Sequence, residues 1–196
     1  MSQRRHALVL IPKMVKSPPL KALSLFNSST VQGLQHSHQS LSFIIHHLLS
    51  SKMLPHVQSL IQQILSGRIS SPTFTSSSLL HDLTQNNLSL DSTHVHLYEA
   101  IINAHVQCQL TEQALFYFTQ MIDKGLVPGP NTFNNLLGFL IKSNCFEKAL
   151  CVFNETKGNF QMDVCSFGIM IKGCCEALIC IKDLSIWSVG GDEFVC

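Results

Sequence analysis

One arrangement of apolar residues occurs three times at a spacing of 34 to 35 residues, and this limits the possible folds more than any other feature of the chain. Tyr98, Ile101, Ile102, His105 and Val106 form the first copy. Phe133, Leu136, Leu137, Leu140 and Ile141 form the second, 35 residues on, and Phe167, Met170, Ile171, Cys174 and Cys175 the third, 34 further. Each set follows i, i+3, i+4, i+7, i+8, which aligns side chains along one stripe of an α-helix. Between the stripes Glu112, Ala114, Leu115 and Phe118 return as Glu147, Ala149, Leu150 and Phe153, so each period holds two helices. Units of that size cannot bury their stripes alone. They must stack, which predicts an all-α fold of the α-solenoid class.

The period places repeat 1 at 95–129, repeat 2 at 130–163 and repeat 3 at 164–196. In repeat 1, Thr111 is expected to cap the second helix, and Gly125 with Pro128 to stop it. Repeat 2 lacks the equivalent proline, so its second helix should end less sharply, near Gly158. Repeat 3 keeps the pattern through Glu176 and Ala177 and then decays. Asp183 stands where Ala114 and Ala149 predict a small residue, Leu184 and Trp187 still match Leu115 and Phe118, and Gly190 and Gly191 replace Met121 and Ile122. A polar capping helix would need a charged amphipathic face, which the last stretch lacks, so a truncated array is the expectation.

Upstream, Leu41, Ile44, Ile45, Leu48 and Leu49 make one stripe, and Val57, Leu60, Ile61, Ile64 and Leu65 another. Pro55 suits the first turn of the second helix and Gly67 its end. This hairpin falls out of register, because 35 residues before Tyr98 stands Gln63. It is expected to cap the array within a segment 40–94 that continues as a Ser/Thr-rich link at 70–78 and a short helical turn around Leu79, Leu80 and Leu83. His46 with His47, and His94 with His96, do not share a helix face, so neither pair reads as a metal site.

The net charge of +1 conceals an asymmetry. Residues 1–81 carry seven Lys or Arg and no Asp or Glu. Residues 82–196 carry six basic and twelve acidic residues, a net of −6. A basic, acid-free, Ser-rich start has the composition of an organelle transit peptide, with an ordinary disordered tail as the competing reading, and residues 1–39 are expected to be an unfolded leader. The apolar run Ala7 to Ile11 is too short for a secretory signal, and Pro12-Lys13 ends it. Pro12, Pro18 and Pro19 would interrupt an amphipathic presequence helix, which leaves mitochondrion and plastid both open, the mitochondrion being preferred. No apolar run approaches the ~20 residues of a membrane span, so no membrane partner is expected. The eight cysteines form no CxxC pair. Several, Cys174 and Cys175 among them, fall on stripe positions and read as buried reduced thiols.

In tetratricopeptide repeats, which share this period, the second helix carries A-x3-F, as Ala114 to Phe118 and Ala149 to Phe153 do. The first helix needs a small residue where Ile102, Leu137 and Ile171 stand here, and that match fails. The stretches NTFNNLL (Asn131 to Leu137), EQALFYFTQMIDKGLVP (Glu112 to Pro128), EKALCVFNE (Glu147 to Glu155) and SFGIMIKGCCEA (Ser166 to Ala177) instead resemble the pentatricopeptide repeat, P class, of plant organelle proteins. The resemblance covers residues 40 to 180.

It implies a solenoid that binds single-stranded RNA in a mitochondrion or plastid, one base per repeat, in support of transcript processing such as intron splicing or RNA stabilisation. The implied readers are the residue after the first-helix aromatic and the last residue of the repeat. In repeat 2 these are Asn134 and Asp163, a pair that favours uracil in that family. In repeat 1 they are Glu99 and Gly129, which form no familiar pair, and repeat 3 offers Gly168 alone. The positions that would flank a base are His96, Asn131 and Cys165. Asn134 and Asp163 read equally well as a helix-start amide and a helix cap. Stacking offers ~1–3 kcal/mol per base, so two or three repeats supply ~2–9 kcal/mol against ~4–15 kcal/mol for fixing the partners. With the repeat half at −6, RNA binding by this chain should be weak. A helical scaffold for a protein partner, or an inactive truncated product, is the alternative. No nucleophile with a base, phosphate loop or carboxylate pair supports an enzyme, and no cofactor or metal is implied.

Overall fold

Schellman turns of one design join the helices of each hairpin. In the computed structural model, residues 10–70, 74–85, 92–156 and 162–185 are described, with side chains described as far as Ala177. They form α1 (Pro19–Val31), α2 (His38–Ser50), α3 (Leu54–Leu65), α4 (Ser76–Gln85), α5 (Ser92–Gln107), α6 (Thr111–Asp123), α7 (Pro130–Lys142), α8 (Phe146–Thr156) and α9 (Val164–Ser185), after a helical run at residues 10–15. The fold is all-α and built of helical hairpins, the repeat class of α-solenoids. Between α2 and α3, α5 and α6, and α7 and α8, the turn residues Lys52, Gln109 and Asn144 take φ values of 57°, 58° and 56°. In each turn the next amide reaches back five residues, as Cys145 N–H does to the Leu140 carbonyl at 2.8 Å. That geometry satisfies carbonyls left over at the helix end. The helices α1, α3 and α6 instead finish at Gly33, Gly67 and Gly125, with φ of 77°, 74° and 71°, a left-handed backbone that glycine adopts without strain.

The chain divides into two units, residues 1–128 and 129–196. In the first, α5 packs on α3 and α6 above all, with α2 and α4 also against it. The upstream hairpin is therefore stacked directly on repeat 1, and α4 is an insertion beside them. Fifty-seven residues separate the turn positions Lys52 and Gln109, one period plus the inserted stretch, which is why the register broke at Gln63. Leu41, Ile44, Ile45 and Leu48 of α2, Leu79, Leu80 and Leu83 of α4, and Tyr98, Ile101 and Ile102 of α5 are all buried. At ~25 cal/mol per Å² of apolar surface, each such side chain contributes ~1.5–3 kcal/mol.

Part of the segment expected to be an unfolded leader is folded. Pro18 and Pro19 do not break a helix but begin α1, where the missing N–H costs nothing. Ala22 and Phe26 are buried, and the α1 helix packs on α2. The Phe26 ring stacks on His36 at 3.8 Å, and burial pushes that imidazole down to about 4. The cap expected at Thr111 is also absent. Thr111 is the first residue of α6, and its predecessor Leu110 offers no side-chain acceptor.

In the second unit α7, α8 and α9 pack on one another. Phe133, Leu136, Leu137, Leu140 and Ile141 are all buried, as the stripe requires. Repeat 3 differs in two ways. Its helix runs unbroken to Ser185, because the position matching Asn144 holds Leu178, a residue type that resists the left-handed backbone. Its stripe is largely exposed: Met170 is buried, while Phe167 and Ile171 are 47% and 66% exposed and Cys174 and Cys175 face outward. The buried line is instead Ser166, Met170 and Gly173. A Cβ on Gly173 would lie 2.6 Å from Ile141 Cδ1, so glycine sets the closeness of α9 to α7. The reading of the cysteines as buried thiols is thus corrected. Cys151, Cys165, Cys174 and Cys175 are exposed, and Cys108 and Cys145 are half-buried. The Gly158 helix end, Cys196, and the sites of Trp187, Gly190 and Gly191 lie outside the described residues, as do the side chains of Cys180, Asp183 and Leu184.

Candidate nucleic-acid interface

Asn134 is the fifth residue of α7, one residue past the buried Phe133 that anchors the helix. Asp163 stands immediately before α9, where the chain returns beside α7. The fold brings the two side chains together. Asn134 Nδ2 donates to both carboxylate oxygens of Asp163, at 3.1 and 3.2 Å. The amide can only be oriented this way, since the flipped amide would set Oδ1 against a carboxylate.

Ser166 completes the cluster. Its Oγ lies 2.7 Å from Asn134 Oδ1 and 2.9 Å from Asp163 Oδ1, and its single proton serves one of them at a time. Its backbone N–H donates to Asp163 Oδ1 at 2.8 Å, so Asp163 also caps α9. The cap fixes the carboxylate, and the carboxylate fixes the amide. The Ser166 amide, and next the Asn134 side chain, hold the Asp163 carboxyl below its usual range by donating to the charged form. The role of Ser166 escaped sequence reasoning, although Asp-x-x-Ser ahead of an apolar helix is a capping spacing that signals it.

The remaining predicted positions divide sharply. Asn131 and Cys165 are exposed, at the second residue of α7 and of α9. Gly168 occupies the Asn134 position of repeat 3 with open space where a side chain would project. In repeat 1, Glu99 accepts from His96 Nδ1 at 3.2 Å, so a base-flanking position and a reading position are tied to each other. Gly129 lies in the second unit and, without a side chain, has no group to pair with a base. Only repeat 2 presents an assembled polar pair of the expected kind among the described residues.

The histidines of the two pairs turn to separate partners. His46 Nδ1 meets the Ser42 carbonyl at 2.8 Å and His47 Nε2 the Ser17 carbonyl at 3.2 Å. His94 is buried with Nε2 3.3 Å from the Thr84 carbonyl, whereas His96 faces Glu99. No described helix is long and apolar enough to cross a membrane.

Comparison with known proteins agrees with the helical-hairpin fold. Residues 96–126 match the PPR repeat, and residues 128–176 match the PPR repeat family. The chain is similar to a pentatricopeptide repeat-containing protein of Arabidopsis thaliana, 48% identical over 176 residues. The match takes in 90% of this chain and 31% of the relative, so the chain spans less than a third of that protein's length.

Proposed function

The chain belongs to the pentatricopeptide repeat family, and from that premise we propose that it binds single-stranded organellar RNA through Asn134, with uracil as the preferred base, in support of transcript processing or stabilisation. The observation that carries this reading is the Asn134, Asp163 and Ser166 cluster. Asp163 takes one Nδ2 hydrogen and Ser166 approaches one lone pair of Oδ1. One N–H donor and one acceptor lone pair are left for a base edge, which complements the N3–H and carbonyl of uracil. Asn131 and Cys165 stand where they would flank that base. The net of −6 over residues 82–196 makes the affinity low and the site a selector more than an anchor. Nothing in the reading requires catalysis.

Fluorescence anisotropy with labelled U-rich and A-rich strands at low salt tests it. The U-rich strand should bind more tightly, and Asn134→Ala should remove the preference. No binding, or a preference indifferent to Asn134, overturns the proposal. Exposed Val164, Phe167 and Ile171 favour the second reading, a scaffold for a protein partner, which is supported if no strand binds. The basic, acid-free start leads us to place the protein in the mitochondrion, with the plastid as the competing site. A fluorescent fusion in plant cells decides between them.

A further inference from the structure

The stripe of repeat 3 contains a narrower seam. Val164, Phe167, Ile171 and Cys174 follow steps of three, four and three residues, and the sequence keeps the alternation at Leu178 and Ile181. The helix itself runs on to Ser185, whereas α7 stops at Lys142, so α9 alone carries the step through three heptads. Val164, Ile171 and Leu178 fall at a positions, and Phe167, Cys174 and Ile181 at d positions, the spacing of a coiled-coil seam.

The described part of this seam lies in water. Val164 is 88% exposed, Phe167 47% and Ile171 66%, and Cys174 is exposed as well. The helix turns a different line to α7, with Ser166 bonded to Asn134 and Gly173 against Ile141. From α8 the seam receives the Phe153 ring, edge-on to Phe167 at 5.5 Å. An apolar patch of roughly a few hundred Å² on a helix face marks an interaction surface.

The residues in and beside the seam select its occupant. From Val164 to Cys175 no charged residue stands at an a, d or e position. Lys172 and Glu176 fall at b and f and pair with each other at 3.6 Å, off the seam. A face without charge cannot recognise a foreign surface by its sign, yet it matches its own image, since each apolar residue meets its equal. The e positions hold Gly168, with open space around it, and Cys175, so a second helix can approach closely. Val164 and Ile171 are β-branched, and β-branched residues at a favour two parallel strands. We propose that α9 pairs with α9 of a second copy of this chain as a parallel two-stranded coiled coil, in which each Cys174 faces the other. The contact is smaller than the ~800 Å² a side of a stable complex, so the pairing is reversible and depends on concentration. It needs no RNA and uses none of Asn134, Asp163 and Ser166.

Sedimentation equilibrium of the whole chain under reducing conditions, from dilute to concentrated solution, tests the proposal. A monomer–dimer equilibrium is expected. Ile171→Lys puts a charge at the centre of the seam and should weaken the dimer about tenfold or more, while Lys172→Ala, one position off the seam, should leave it unchanged. Ile171 is largely exposed in the single copy, so Ile171→Lys should keep the melting temperature of the dilute chain, which verifies its fold. A short bismaleimide, which alkylates one thiol at each end, should join Cys174 to Cys174. That link between two identical residues arises only from two copies, and peptide mass identifies it. A monomer at every concentration overturns the proposal, whether the seam then lies bare or is covered from within the chain. A dimer indifferent to Ile171→Lys uses another surface and overturns it equally. Linked dimers that join Cys165 to Cys174 and never the two Cys174 residues show an antiparallel pair and overturn the parallel seam.

Discussion

The helices α7 and α9 carry the same stripe 34 residues apart, and the structure treats them in opposite ways. Along α7 all five stripe residues are buried. On α9 only Met170 is, and the helix instead buries the adjacent line through Ser166 and Gly173. The cause lies in the next element. Asn144 turns the chain so that α8 returns over α7, whereas α9 runs straight through the equivalent position, where Phe167 meets only an edge-on contact with Phe153 of α8 at 5.5 Å and Ile171 stays 66% exposed. An amphipathic pattern states that a face can be buried. It does not state that a partner arrives to bury it.

The largest effect should come from truncating the stripe at matched positions. Leu137→Ala in α7 opens a cavity in a fully buried site and is expected to cost ~2–5 kcal/mol. Ile171→Ala in α9 removes a side chain that is 66% exposed and should stay within ~0.5 kcal/mol. Chemical denaturation of the two variants measures both. Equal losses would mean that α9 is covered in solution as α7 is, and the contrast between them would vanish.

Burial on α7 was legible because five apolar residues at helical spacing, a Pro at the start and a tolerant Asn at the turn all agree. The pairing of Asn134 with Asp163 was legible only through the family resemblance, since spacing alone puts 29 residues between them. The exposed stripe of α9 was not legible, because it depends on a turn that fails to form at Leu178. Nor was α1, where a basic, proline-containing stretch reads as leader while Phe26 finds a stacking partner in His36, ten residues away. The insertion of α4 hid the kinship of the upstream hairpin with the repeats, because register is lost once ~23 extra residues intervene, even when packing is kept.

The glycines of α9 sharpen the comparison at a smaller scale. Gly173→Val would drive a branched side chain into Ile141 and Phe146 and is expected to destabilise the second unit by ~1–3 kcal/mol. A residue at Gly168 meets nothing within 4 Å, so Gly168→Ala should stabilise by up to ~1 kcal/mol through helix propensity. Thermal unfolding distinguishes the two signs. Should Gly173→Val prove neutral, α9 would not be held as close to α7 as the structure places it, and the Asn134 cluster between them would loosen too.

The smallest effect concerns the cap that joins the two helices, and it is read by pH. Asp163 has a folded pKa below its ordinary value, chiefly because the Ser166 amide and the Asn134 side chain donate to its charged form. A depressed carboxylate pKa stabilises the folded state above the unfolded value, and the gain is lost as pH falls through the folded one. Between neutral pH and about pH 5 the Ser166 amide and Asn134 side-chain NMR resonances should therefore hold steady. They should shift together on further acidification, with a midpoint below the usual ~3.9 of an aspartate. In Asp163→Asn the amide oxygen still caps the helix, so Ser166 should stay protected, but the shared titration disappears. A midpoint at or above the ordinary value, or Ser166 and Asn134 moving at separate midpoints, would show that the cap and the Asn134 amide are independent. The link between the start of α9 and the polar edge of α7 would then be lost.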